Sequence, residues 1–345
     1  MDILTIDAGT TNTRSTLWRN GIPSCQAERP VGVRDTAVTG DKSALQNGVR
    51  ESIAEVLQQA RIGIADLGLL LASGMITSNV GLFELAHLPV PAGLKELAAG
   101  MQQALLPQVC ARPIWFVPGV RNPVADIGLH DCEAMDMMRG EEAETMGLIE
   151  RLKIAAPALI VLPGSHTKFV LLDAQQRIAN CVTTLSGELL QVITHDTIVA
   201  DSLGSDFADR IEPEMLFAGA RSARSLGLGR ACFMVRTLGQ FTRHDRNARA
   251  NFLLGAVLGA DLLTLEHSSA LRLRPETRCI VAGKPTLRQA YSLLLANDDF
   301  FSAAVTTVSD DEQHSLAGFG AIRLAQERGL AGGGPTLAAS GRVPG

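Results

Sequence analysis

The chain has 345 residues, 46% of them hydrophobic and 19% charged, with a net charge of −5. That length suits about two globular domains around a large buried core. The negative balance and an aromatic share of only 4%, with 2 Trp and 1 Tyr, argue against a basic, base-stacking nucleic-acid surface.

An apolar run, Ile3 to Ile6, opens the chain and ends on Asp7. Gly9 follows, then Thr10, Thr11, Asn12 and Thr13. The pattern predicts a strand, a tight Gly turn, a strand over 15–20, a hairpin at Asn20-Gly21 and a third strand. Such a turn offers backbone N–H groups and hydroxyls as a phosphate cradle. Asp7 at the strand end can hold Mg²⁺ or its water, because hard cations prefer carboxylate oxygen. An ordinary hairpin on a buried strand is the plain alternative.

Val49, Ile53, Val56 and Leu57 recur at helical spacing and predict a helix over 43–60. Residues 67–72 read as a fully buried strand, ending in a second polar Gly turn, Ser73 to Asn79. Pro89 and Pro91 break the next segment, and 93–106 reads as helix. A short strand at 114–117 leads to Pro118-Gly119-Val120-Arg121-Asn122. A helix is expected over 131–148, charged with Asp136, Arg139, Glu141, Glu142 and Glu144. A charge run on a helix is usually a solvated face. Two adjacent carboxylates after Gly140, just before a buried strand, make Glu141 and Glu142 candidates for chemistry.

The opening pattern then returns, with strands at 158–162, 168–172 and 178–185 around the turn Pro163-Gly164-Ser165-His166-Thr167. Two α/β domains of similar plan, each offering a Gly turn to one cleft, are the economical reading. Helices are expected over 186–192, 214–226, 231–241 and 249–265. A strand at 279–284 ends in Gly and is followed by a helix to Leu295, a generic nucleotide site. A strand at 304–308, a helix at 315–327 and a Gly/Pro-rich tail over 329–345, expected to be disordered, close the chain. The 6 Cys form no C-x-x-C and the 7 His no H-x-x-x-H, so reduced thiols are expected and zinc is not. The chain opens directly on a strand and shows no apolar run of transmembrane length, so no secretory signal, no membrane and a cytoplasmic location are expected.

Several of these turns together resemble the actin, hexokinase and Hsp70 superfamily of ATP-using proteins. Asp7 to Thr13 looks like its first phosphate motif and Pro163 to Lys168 like its second. Ile280 to Gly283 looks like its adenosine motif, and the helices around Gly255–Gly259 and Gly318–Gly320 like its connecting elements. The second phosphate motif departs from the pattern: Leu162-Pro163 stands where Asp is usual. Within that superfamily the sequence is similar to the 2-dehydro-3-deoxygalactonokinase family. The similarity rests on Gly74-Met75-Ile76-Thr77-Ser78, Val117 to Arg121, Met138 to Glu142, Leu162 to Phe169, Leu185 to Leu189 and Val235-Arg236, in order along nearly the whole chain. Asn79, in place of an expected Arg, and the hydroxyls of Ser165 and Thr167 depart from the family pattern. Glu141-Glu142-Ala143 also looks like the catalytic helix of exopolyphosphatases in the same superfamily.

The resemblance implies two actin-like (ribonuclease H-like) domains, 1–156 with the C-terminal helix 315–328 and 157–314, around a cleft for ATP and substrate. It implies ATP-dependent phosphorylation of the 6-hydroxyl of 2-dehydro-3-deoxy-D-galactonate, with Mg²⁺ at Asp7. Gly9, Thr10, Thr11 and Asn12 would face the phosphates, with Gly164, Ser165, His166 and Thr167 opposite. Adenine would lie near Ala282, Gly283 and Lys284. Glu142 is the first choice as proton acceptor and Glu141 the second, both kept ionised by a helix start. Met75 and Ser78 would line the sugar-acid pocket, and Arg121, Arg14 or Lys168 would hold the substrate carboxylate. The expected partners are the small-molecule sugar acid and a second copy in a homodimer. The rival readings are a phosphoanhydride hydrolase and an ATP-switched binding protein.

Overall fold

The hairpin expected at the start is present. Asn20 and Gly21 have φ values of 54° and 79°, so both central residues are left-handed, as a type I′ turn requires. A computed structural model describes residues 1–204 and 207–332. Strands β1 (Ile3–Ala8), β2 (Thr13–Arg19) and β3 (Ile22–Arg29) form an antiparallel meander. Two helices follow, α1 (Val33–Thr39) and α2 (Ser43–Ala60), the second with Leu45, Val49, Ile53 and Val56 buried on one face. Strand β4 (Leu69–Gly74) is buried throughout and pairs parallel with β1. After β5 (Leu88–Pro89) come α3 (Leu94–Gly100), β6 (Gln102–Ala104), β7 (Ile114–Phe116), β8 (Val120–Arg121) and β9 (Met137–Met138). The first sheet has the order β3-β2-β1-β4-β7-β6, and β5-β8-β9 forms a small separate sheet.

Helix α4 (Glu141–Leu152) leads into the second sheet, opened by β10 (Ala158–Leu162), β11 (Thr167–Leu172) and β12 (Ile178–Thr184). The helices α5 (Ser186–Asp196), α6 (Ala200–Leu203), α7 (Pro213–Leu226), α8 (Leu228–Phe241) and α9 (Arg246–His267) follow. Strand β13 (Arg278–Val281), α10 (Pro285–Ala296), β14 (Val305–Thr307), α11 (Asp310–Gln313) and α12 (Leu316–Glu327) end the described chain. The order of this sheet is β12-β11-β10-β13-β14, the same antiparallel meander feeding parallel strands as in the first. The expected α/β class with two actin-like sheets is thus what the chain forms. By length and apolarity α9 would suffice to cross a bilayer, but 78% of that window is buried inside the protein, as in a core helix.

Period-two burial divides the core into three layers. Leu4, Ile6 and Ala8 of β1 and Leu70 and Ala72 of β4 face α2. Ile3 of β1, Leu69 and Leu71 of β4 and Ala158, Ile160 and Leu162 of β10 share one cluster with α4 and α12. Leu159 and Val161 of β10 face the opposite way, into the cluster built with α9 and α10. Helices α4 and α12 therefore form a middle layer between the two sheets. They touch backbone to backbone: a Cβ on Gly320 would sit 1.8 Å from the Ala143 carbonyl oxygen. Both tryptophans meet α12 or the residue that follows it. Trp18 donates its Nε1–H to Thr5 Oγ1 at 2.8 Å and lies against Gly318, while the Arg328 guanidinium stacks over Trp115 at 4.9 Å.

Three expectations differ from the structure. The helix expected over 93–106 stops at Gly100, and Met101 turns extended so that β6 can pair with β7. The helix expected over 131–148 starts only at Glu141, because Val120 and Arg121 pair with Met138 and Met137 as strands. Of the tail expected over 329–345, Leu330 packs on the middle cluster and Ala331 is buried. Residues 333–345 lie outside the described residues.

Candidate active site

The two Gly turns face each other across one cleft of about 840 Å³. Asp7, Ala8, Gly9 and Thr10 line it from the end of β1, and Gly74, Met75, Ser78 and Asn79 from the end of β4. Leu162 to His166, with Ala282 and Gly283, form the facing wall. These are the carboxyl ends of the central parallel strands, where open α/β sheets bind ligands.

Bare backbone makes the acidic wall possible. Gly74 has φ +88°, and a Cβ there would meet Ala8 O at 2.6 Å and Asp7 Oδ1 at 3.0 Å. Gly140 has φ +116°, and its Cβ would meet Gly74 Cα at 3.1 Å. The first turn of α4 is thereby brought beside Asp7. From that turn Glu141 and Glu144 line the cleft. Their i, i+3 spacing puts them on one face.

Burial pushes the Asp7 carboxyl up to about 6, with Arg14 opposing and Glu141 and Glu28 adding to it. Burial pushes Glu144 up to about 8, reinforced by the charges of Asp7 and Glu141. Two carboxyls of raised proton affinity, Asp7 and Glu144, with the charge of Glu141 acting on both, make a wall suited to a cation.

Glu142 does not reach this wall. It is fully buried, and both its oxygens accept the Gly140 N–H, at 2.9 and 2.8 Å. Burial first, then Glu141, pushes it up to about 8. The expectation that the helix start keeps it ionised is therefore reversed, because desolvation outweighs the helix end. Thr167 also turns away. Its hydroxyl meets Ser186 Oγ at 2.8 Å and receives the Tyr291 O–H at 3.2 Å, in a buried network completed by Asp261.

Thr11 and Asn12 are exposed and lie outside the cleft lining; the Asn12 carbonyl instead closes the turn by accepting Gly9 N–H at 2.8 Å. Lys284 caps α10 and does not line the cleft. Arg14 pairs with Glu28 at 3.2 Å, and Arg121 donates to the Val124 carbonyl at 3.1 Å; neither lines the cleft. Of the three cations expected at the substrate carboxylate, only Lys168 does. It donates to Met137 O at 2.9 Å and Thr183 Oγ1 at 2.7 Å. Glu84, His87, Asp136 and Arg139 also line the cleft and lie outside any motif read from the sequence as a substrate contact.

A two-sheet α/β body with its phosphate-type turns opposed is the actin-like sugar-kinase architecture. A solved protein from Sinorhizobium meliloti, provisionally named 2-dehydro-3-deoxygalactonokinase, superposes with a TM-score of 0.71 at 22% identity over 94% of this chain and 98% of that one. The activator of 2-hydroxyisocaproyl-CoA dehydratase from Clostridium difficile, solved with ADPNP, superposes with a TM-score of 0.50 at 10% identity over 95% and 96%. The 2-dehydro-3-deoxygalactonokinase of Escherichia coli strain K12 is 24% identical over 317 residues, covering 89% of this chain and 97% of its own. The 2-keto-3-deoxy-galactonokinase family matches residues 7–322, and the chain belongs to that family of sugar-acid phosphotransferases.

Proposed function

We propose that the chain transfers the γ-phosphoryl group of ATP to the 6-hydroxyl of 2-dehydro-3-deoxy-D-galactonate, in the cytoplasm, as a step of galactonate degradation. The observation that carries this reading is the cleft between two opposed Gly turns, with Asp7, Glu141 and Glu144 on one side and Gly164, Ser165, Ala282 and Gly283 on the other. The division into 1–156 with helix 315–328 and 157–314 is supported by the packing of α12 on α4, β1 and β4.

Phosphoryl transfer asks for positioning and charge neutralisation more than for covalent help. Among the described residues no three His, Cys, Asp or Glu groups are gathered as a metal cage. Mg²⁺ needs none, since it keeps several waters and takes one or two carboxylates plus phosphate oxygens. Asp7 and Glu144, both with raised proton affinity, fit that donor set and would hold it. The chemistry such an ion would supply there is neutralisation of the charge developing on the phosphate oxygens.

Gly9 and Thr10 face the phosphates from one side, and Gly164, Ser165 and His166 from the other. Ala282 and Gly283 border the nucleoside. Glu141 takes the proton of the attacking hydroxyl as the oxygen–phosphorus bond forms and the bridging bond to ADP breaks. It suits this role because it lines the cleft. Its charge acts on Asp7, and its Oε2 accepts the main-chain N–H of Arg139 at 3.1 Å. Lys168 meets the substrate carboxylate, beside Met75 and Ser78.

In the phosphoanhydride-hydrolase alternative, water would stand where the sugar hydroxyl is placed. A coupled assay for ADP separates the readings. ADP release that depends on the sugar acid supports the kinase; phosphate release without sugar acid sinks it.

A further inference from the structure

We propose that His87 binds the substrate carboxylate, held by Arg139 in the tautomer that carries its proton on Nε2, and acts together with Lys168. The proposal rests on the reading of the cleft as a sugar-acid site and adds a residue that no motif indicates.

The geometry begins at Arg139. Its Nη1 donates to Thr77 O at 2.6 Å and Thr77 Oγ1 at 2.7 Å, and its Nη2 to Leu85 O at 2.8 Å. This fork fixes the guanidinium, and Nη2 then stands 3.2 Å from His87 Nδ1. A guanidinium has donors and no acceptor, so Nδ1 must accept. The ring proton is therefore on Nε2, which has no hydrogen-bond partner among the described residues, on a side chain that lines the cleft. The ring also packs against bare backbone: a Cβ on Gly119 would lie 2.9 Å from His87 Cδ2.

The ring stays neutral. Burial first, then the charges of Arg139, Arg121 and Lys168, hold its pKa down at about 4. A neutral N–H can donate to an anion without adding a second full charge. Lys168 has two of its three N–H groups on Met137 and Thr183 and one left to give. One ammonium and one neutral N–H match a carboxylate monoanion, each oxygen taking one donor.

The test uses the full chain and titrates 2-dehydro-3-deoxy-D-galactonate by calorimetry. His87→Leu should weaken its binding roughly ten- to a hundredfold, the effect of leaving a buried charged acceptor one donor short. His87→Gln, whose amide N–H reaches near the position of Nε2, should restore most of it. Binding of a non-hydrolysable ATP analogue with Mg²⁺ should change by less than about twofold in both, reporting an intact fold. Long-range ¹H–¹⁵N spectra should show the His87 ring, assigned by its loss in His87→Gln, as the Nε2–H form at neutral pH. An Nδ1–H ring or an imidazolium overturns the proposal whatever the activity. So does sugar-acid binding that survives His87→Leu. A wild-type protein that binds no sugar acid overturns this proposal and the reading beneath it together, which distinguishes the two failures.

Discussion

Glu141 and Glu142 are neighbours in sequence and opposites in environment. On a helix, adjacent side chains point about 100° apart, so only one of the pair can face the cleft. Glu141 lines the cleft, whereas Glu142 is sealed in the core and holds the Gly140 N–H. Glu141→Gln should therefore lower turnover on the order of a hundred- to ten-thousand-fold, with nucleotide affinity nearly unchanged. Glu142→Gln should keep turnover within a few-fold, because a carboxyl with a pKa of about 8 is mostly neutral at pH 7 and the amide copies its shape. The reverse ranking in steady-state rates would sink the assignment of the base. Four carboxyls of raised proton affinity, two of them buried and two half-buried in the cleft wall, also give stability a pH dependence. Asp7 and Asp261 are raised to about 6 and Glu142 and Glu144 to about 8, above unfolded values of 3.8 and 4.5. The native state thus holds these protons more tightly than the unfolded chain does. The stability they contribute is complete below the unfolded values and is lost as pH rises through 6 and then 8. Thermal unfolding of the ligand-free protein should show a midpoint falling between about pH 5.5 and 8.5, with the upper part of the fall reduced in Glu144→Gln. A midpoint rising over that window would contradict the burial of these groups.

At the scale of elements, the middle layer carries the argument. With the Gly320 Cα against the Ala143 carbonyl, Gly320→Ala forces α12 off α4. Overpacking of this kind costs about 1–3 kcal/mol, and here the helix pressed against, α4, is the one that carries Glu141 and Glu144. Both the melting temperature and turnover should fall. Gly229→Ala, on α8 with nothing within 4 Å of its new Cβ, should do neither. An unaffected Gly320→Ala melt would mean that the two helices do not touch as described. The same scale shows what can be read without a structure. Periodic apolar residues and turn chemistry made the 43–60 helix, the 158–162 strand and the Asn20-Gly21 hairpin legible. The sheet β5-β8-β9 was not, because strands of two residues have no period and exist only through their partners. Asp7, Lys168 and the Gly turns could be found because strand ends announce them. Arg139 and His87 are 52 positions apart and meet only in the fold. Glu144 had a signal that went unused, its three-residue spacing from Glu141. Thr167 and Glu142 misled because the first residue or two of an element can turn inward, Thr167 to Ser186 and Tyr291 and Glu142 into the buried interior against Gly140.

For the whole molecule, two sheets share one middle layer, and the chain passes between them through α4 and again through α11 and α12. A large block of helix packs in a different cluster from that layer: α7, α8 and α9 have 14, 14 and 22 residues and build the core of the second lobe. Both indoles report instead on the last helix and its continuation, Trp18 beneath Gly318 and Trp115 beneath Arg328. The protein therefore carries two spectrally separable views of its own unfolding. Ultraviolet circular dichroism weighs all the helices, with α7 to α9 a large share, and indole emission sees the seam. In a urea titration the emission should shift to the red at or before the loss of ellipticity, because release of the terminal helix wets both rings while α7 to α9 can remain coiled. Emission that outlasted the ellipticity would place the weakest point of the molecule in the second lobe rather than at its seam.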